Sequence, residues 1–161
     1  MTHEIQKKLE DWRWIQSLAF DVLETLNDYQ LELTVGKHMG TVGEQFRHMI
    51  RVRFQYAEAI ETHVLADAKE RIDASVATSC NQLIELWKKA NQALTSAVMS
   101  QDLDRADDVQ IDWSHWGGES MNIHDHLNFL MDHETLHNGQ LIVYLKTLEI
   151  PFPASWKAWG L

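Results

Sequence analysis

His133 and His137 stand four residues apart in the segment Asp132-His133-Glu134-Thr135-Leu136-His137. On an α-helix that spacing brings two side chains onto one face, about 6 Å apart at Cβ. Two neutral imidazoles so placed can share a metal ion, each offering a ring nitrogen at about 2.0–2.1 Å to zinc or a similar ion. His137 also falls on an apolar stripe, so its ring faces a core. Two inward rings each need a polar partner to offset desolvation, and one ion serves both. The competing reading is ordinary. Nine histidines in 161 residues produce pairs at this spacing by chance, and a core histidine is usually hydrogen-bonded rather than ligating.

The same segment fits the zinc-protease pattern H-E-x-x-H, where the glutamate is general base on a metal-bound water. The rest of that motif is missing. The extended protease motif places a glycine where this chain has Gln140, and the glycine here is Gly139. No histidine follows His137, and the only later acidic residue is Glu149. A third ligand must therefore come from upstream, which argues against a protease.

Four segments with apolar residues at spacings of three and four must position these side chains. The first carries Ile5, Leu9, Trp12, Ile15, Ala19, Val22 and Leu26, and Asn27-Asp28-Tyr29 breaks it. The second begins near Thr41, with Glu44 placed to complete a capping box, and runs through Phe46, Met49, Ile50, Tyr56, Ala57 and Ile60. The third starts near Ser79, with Gln82 at the matching box position, and carries Leu83, Trp87, Ala90, Leu94 and Ala97. The fourth starts at Asn122, with Asp125 in its first turn, and carries Ile123, Leu127, Leu130, His137, Leu141, Tyr144 and Leu148 before Pro151 and Pro153. The charged stretch Asp67–Asp73 reads as a loop or a frayed helix end, and Gln101–Asp108 as an acidic linker. Val109–Trp113 alternates like a short strand. The expected fold is all-α: one antiparallel four-helix bundle spanning residues 1–161, with a long connection before the last helix.

Bulk properties narrow the function. The net charge of −10 gives the chain no electrostatic reason to seek nucleic acid or an anionic membrane. No run approaches the roughly 18 apolar residues of a membrane span, and the N-terminal residues lack the apolar block of a signal peptide. The expected location is cytoplasmic. The single cysteine, Cys80, lies among apolar residues at helical spacing and reads as a core thiol rather than a nucleophile. Seven tryptophans are many for this length. Trp12 and Trp87 fall in core stripes. Trp113, Trp116, Trp156 and Trp159 lie in a loop and a tail that either cover the mouth of a site, form a dimer contact or simply pack on the bundle.

The stretch His133-Glu134-Thr135-Leu136-His137-Asn138-Gly139-Gln140-Leu141 resembles the last helix of the DinB-like family of small metal-binding four-helix bundles. The phrase Thr41-Val42-Gly43-Glu44-Gln45-Phe46-Arg47-His48 resembles that family's second helix, and Thr147–Pro151 its close. The resemblance implies that His48 is the third ligand. Spacing alone leaves rivals: His38 and His115 in loops, His63 far along the second helix, and His124 and His126 seven to nine residues before His133, about 10 Å or more along the axis.

Three histidines leave coordination positions for water or substrate, the pattern of an open site. Nitrogen ligands suit a divalent transition metal, zinc or nickel first, with iron and copper also compatible. Characterised relatives implied by the resemblance include transferases and an isomerase that use low-molecular-weight thiols. The functional expectation is thus a metal-dependent thiol S-transferase acting on a small molecule, with Glu134 and Glu44 as candidate catalytic carboxylates. The alternative is a metal-binding stress-response protein without turnover. The resemblance also implies a homodimer.

Overall fold

The computed structural model describes residues 2–67, 72–102 and 106–161. Five helices dominate: α1 (Thr2–Thr25), the short α2 (Asp28–Leu31), α3 (Val42–Thr62), α4 (Cys80–Met99) and α5 (Ile123–Thr147). The four expected helices are α1, α3, α4 and α5. The break at Asn27 holds an added turn of helix, because Asn27 forms a complete capping box with Gln30.

The expected starts of α3 and α5 are present. Thr41 accepts from the Glu44 amide while Glu44 reaches back to the Thr41 amide at 2.7 Å. Asn122 accepts from the Asp125 amide at 2.9 Å. The box expected at Ser79 and Gln82 does not form, since Ser79 makes no side-chain cap bond. Asp28 supplies the acceptor from across the fold, taking the Cys80 amide at 2.8 Å. An acceptor from a distant part of the chain has taken the place of the local cap.

Two core clusters set the helix directions. One joins Ile5, Leu9 and Trp12 of α1 to Tyr56 and Ile60, to Leu94 and Val98, and to Ile123, Leu127 and Leu130. The other joins Val22 and Leu23 to Phe46 and Ile50, to Leu83 and Trp87, and to Leu141 and Tyr144. The first half of α1 therefore meets the first half of α5 and the second halves of α3 and α4. So α1 and α5 run one way, and α3 and α4 the other. Around the bundle, α3 touches α4 and α5, and α1 touches α5 and α4. The bundle is antiparallel between these pairs and parallel within them.

Parallel neighbours need a connection that returns along the bundle, and residues 63–79 join α3 to α4. Of the charged stretch expected there, residues 68–71 lie outside the described residues. A 3₁₀ turn at Ala74–Thr78 ends that connection, packed on the start of α3. Gly43 permits this contact: a Cβ there would lie 1.7 Å from the Ala77 carbonyl oxygen.

The described part of the long connection before α5 packs at one end of the bundle, against α3 and α5. Residues 103–105 of its acidic stretch lie outside the described residues. The alternating segment pairs as β1 (Gln110–Ile111) with β2 (Met121–Asn122), antiparallel, Ile111 opposite Met121. Trp113 then packs onto Tyr56, His126 and Phe129. Trp156 in the tail is 2% exposed and donates to the Leu18 carbonyl at 2.9 Å. Loop and tail packing accounts for both tryptophans. Cys80 is partly buried, its thiol donates to the Leu26 carbonyl, and burial raises its pKa to about 11. That is an inert thiol. No described helix is long and apolar enough to cross a membrane.

Candidate metal centre

His48 comes from the second turn of α3, and His133 and His137 from successive turns of α5. Because the two helices run antiparallel, His48 meets both. Its Nε2 lies 3.0 Å from His133 Nε2, which lies 3.0 Å from His137 Nε2. The ring centroids are 4.4–5.1 Å apart. Among the described residues, these three form the one group of possible metal ligands whose atoms fall within 4.8 Å of one another.

The donor set fits a metal ion. Three ring nitrogens converge, and a single shared proton satisfies only one close pair of them. The remaining lone pairs would face each other in a partly buried site. A divalent cation satisfies all three, and nitrogen at about 2.0–2.1 Å is what zinc accepts from histidine. Electrostatics prepares the rings. Burial, then the His137 ring and the Arg51 and Arg47 guanidinium groups, pulls His48 down to about 4. Burial, then His137, His48 and Arg53, pulls His133 to about 3. Burial lowers His137 as well, opposed by Glu134 and by the Gln140 carboxamide. All three rings are therefore neutral near pH 7, the state a metal requires.

The hydrogen bonds around the rings are sparse. Nδ1 of His133 and of His137 is buried without a partner. Exposed Arg51 approaches His48 Nδ1 at 3.4 Å. Ligation through Nε2 puts the His48 proton on Nδ1, so that contact is released on binding.

The two candidate carboxylates have other partners. Glu44 is turned back onto its own helix terminus by the capping box. Glu134 is fully buried, and both its oxygens are held by Arg53, with Nε to Oε1 at 2.5 Å and Nη2 to Oε2 at 2.8 Å. A fully buried carboxylate clamped by an arginine is not open to a metal-bound water, so the H-E-x-x-H reading fails on geometry as well as on sequence. Asp132 is exposed.

Arg53 belongs to a network that ties the four long helices together. Its Nη1 donates to Asn91 Oδ1 at 3.2 Å, and its guanidinium lies 3.5 Å from the centroid of Trp87. Gln16 Oε1 accepts from both Trp87 Nε1 and Asn91 Nδ2, at 2.7 and 2.8 Å. Gln16 is on α1, Arg53 on α3, Trp87 and Asn91 on α4, and Glu134 on α5. The inward arginine is Arg53. Arg47 instead donates to the Ile72 carbonyl at 3.3 Å.

The other histidines lie apart from the three. His38 and His63 are exposed, and His63 ends α3 with a φ of 61°. His115 lies 3.8 Å from Asp67, and His124 lies 3.6 Å from Asp107. His126 is fully buried, stacked on Tyr56, with Nδ1 accepting from Trp113 and Nε2 donating to the Tyr56 carbonyl. It is a satisfied core histidine.

Comparison with known proteins meets this geometry from the other side. The sequence matches the DinB family over residues 1–150. The chain belongs to the DinB family. No curated protein matches the sequence. Two solved structures share the fold of this DinB protein. One is a DinB-like protein from Bacillus cereus, 22% identical, covering 93% of this chain and 96% of its own, with a TM-score of 0.77. The other is a DinB-like protein from Bacillus subtilis, 14% identical, covering 89% and 92%, with a TM-score of 0.71. Family membership and the three-histidine cluster are together compatible with metal binding by this DinB protein.

Sequence reasoning missed the Arg53–Glu134 pair, though a signal was present. The apolar stripe of α3 skips from Ile50 to Tyr56, and that of α5 from Leu130 to His137. Arg53 and Glu134 fill the two gaps. Opposite charges at core positions of two helices are what a buried ion pair looks like in sequence.

Proposed function

We propose that this DinB protein binds one divalent transition-metal ion through His48, His133 and His137, and serves as a transferase for a low-molecular-weight thiol. The convergence of three neutral ring nitrogens from α3 and α5 carries this reading. Zinc or nickel suits the donor set best, with iron compatible. Such an ion supplies Lewis acidity, which lowers the pKa of a thiol or water at an open position.

The chain's own residues have separable tasks. The Arg53–Glu134 pair holds the facing surfaces of α3 and α5 in register beneath the rings. Arg51 and Arg47 set a positive field at the His48 side, which favours an anionic thiolate or an acidic cosubstrate. Glu44 keeps the α3 terminus ordered one turn from His48. In the transfer, the thiol gives its proton to solvent, its sulfur bonds an electrophilic carbon, and the leaving group departs with its electron pair.

Elemental analysis of protein purified without nickel resin tests the site. About one metal per chain is expected, falling to background in His48→Ala and His137→Ala. Equal content in wild type and variants removes the site. A panel of small thiols with an electrophile tests the reaction, and metal-loaded protein should exceed a metal-free control. Metal without any thiol turnover favours a binding protein of the stress-response kind.

The homodimer is part of the reading. Phe129, Leu136 and Val143 are each at least half exposed along α5, an apolar stripe suited to a second copy. A monomer mass in sedimentation at working concentration removes it.

A further inference from the structure

We infer that Gln140 is a positioning residue for His137: its Oε1 accepts the Nδ1 proton of that ring and so leaves Nε2 bare for an ion. The inference rests on the metal reading above, and it gives that site a residue which does not itself ligate.

A neutral histidine that ligates through Nε2 carries its one ring proton on Nδ1. That N–H needs an acceptor, and the acceptor sets both the tautomer and the orientation of the ring. The Nε2 atoms are the ones that converge here, so each Nδ1 meets this demand. Nδ1 of His137 is buried and has no partner. A proton placed there without an acceptor is an unpaired buried donor, which is destabilising.

Gln140 carries the complementary deficit. It follows His137 by three residues on α5, a spacing that makes the two side chains neighbours on one face. It is half-buried, and its Oε1 is buried with no partner. An acceptor without a donor thus stands one turn from a ring nitrogen without an acceptor. The carboxamide favours a proton on the His137 ring, which is the effect of its oxygen and not of its N–H₂ group. Turned the other way, the amide would donate to Nδ1 and drive the ring proton onto Nε2, the atom a metal needs bare. The bond is not closed in the structure, and the flexible Gln140 side chain can close it without backbone movement.

The other two rings have no such neighbour. Nδ1 of His133 is buried with no partner. Nδ1 of His48 faces the Arg51 guanidinium at 3.4 Å, a donor that opposes a proton at that atom. Among the three ligands, His137 is the one whose tautomer a neighbouring side chain sets in the direction that metal binding requires.

Zinc affinity of the full chain, read by competition with a chromophoric chelator, tests the role. Gln140→Leu should bind zinc about 10–100-fold more weakly than wild type. Gln140→Glu keeps an acceptor at the same reach and should match wild type or bind more tightly. Melting temperatures in excess chelator should be similar for all three proteins, because the role concerns the ring and not the bundle. The tautomer gives a readout that packing alone would not move. In chelator near pH 7, nitrogen-15 shifts of His137 should show the Nδ1–H form in wild type, and Gln140→Leu should shift population toward Nε2–H. The wild-type tautomer is read without any variant, so it decides the matter even if Gln140→Leu does not fold. Wild type in the Nε2–H form overturns the role of Gln140, as does a folded Gln140→Leu protein that binds zinc as tightly as wild type. Wild type that binds no zinc overturns the metal reading itself, and the role of Gln140 falls with it.

Discussion

Arg53 and Glu134 occupy positions that the helix stripes reserve for apolar side chains, and each is tolerable only because of the other. Arg53→Met alone leaves a buried carboxylate unpaired, and Glu134→Leu alone leaves a buried guanidinium. Either single change should lower stability by about 3–5 kcal/mol, and the double variant should recover most of that loss. Urea unfolding of the three variants checks this, and additive losses would show that the two residues do not act as a pair.

His126 gives the residue scale its pH dependence. Burial lowers its pKa to about 4, opposed by the Tyr56 carbonyl, against an ordinary value of 6.5. Between those values the unfolded chain binds a proton that the folded chain refuses. The contribution is therefore intact above pH about 6.5 and is lost as pH falls toward about 4. Metal-free protein should show a falling urea midpoint over that window, and His126→Phe should show a shallower fall. It should not be flat, because His48, His133 and His137 are shifted in the same direction. An unchanged slope in His126→Phe would place the effect elsewhere.

At the scale of elements, two glycines in helices have opposite roles. Gly43 lets the Ala77 backbone approach the start of α3, and a Cβ would collide with its carbonyl oxygen at 1.7 Å. Gly43→Ala should destabilise by about 3 kcal/mol or more, since backbone must move. Gly139 has open space, and Gly139→Ala should stabilise by up to about 1 kcal/mol. Thermal unfolding of the pair distinguishes them directly. Capping shows the same dependence on context. The box at Thr41 and the cap at Asn122 are read from sequence because donor and acceptor lie three residues apart. The acceptor for Cys80 is Asp28, 52 positions away, and no local pattern reports it. Asp28→Ala should cost about 1 kcal/mol in thermal or urea unfolding, the usual loss for a helix cap. A loss near zero would mean that water replaces the carboxylate at no expense.

At the scale of the molecule, the metal proposal becomes a statement about stability. The three histidines come from α3 and α5, so an ion that they bind in the folded chain alone must raise its melting temperature. At free zinc about 100 times Kd the gain is about 2.7 kcal/mol, and scanning calorimetry with and without chelator reads it. His48→Ala should remove the metal-dependent part while the chain remains folded, because two extensive apolar clusters hold the bundle without the ion. A melting temperature indifferent to zinc in wild type would speak against the site.

The sequence by itself determined the four long helices, since their stripes and two of their caps depend on residues a few positions apart. It also determined that His133 and His137 share a face, which is a matter of helical period alone. The choice of His48 came from a family resemblance, because spacing within one helix says nothing of which residue on another will face it. Tertiary structure decided that question through helix direction: α3 lies antiparallel to α5, with the rings of both within 3.0 Å at Nε2. It also decided that α1 and α5 run parallel, and that the Glu134 carboxylate is clamped by Arg53. Each of these is a relation between residues far apart in the chain, fixed only when the apolar faces close around them.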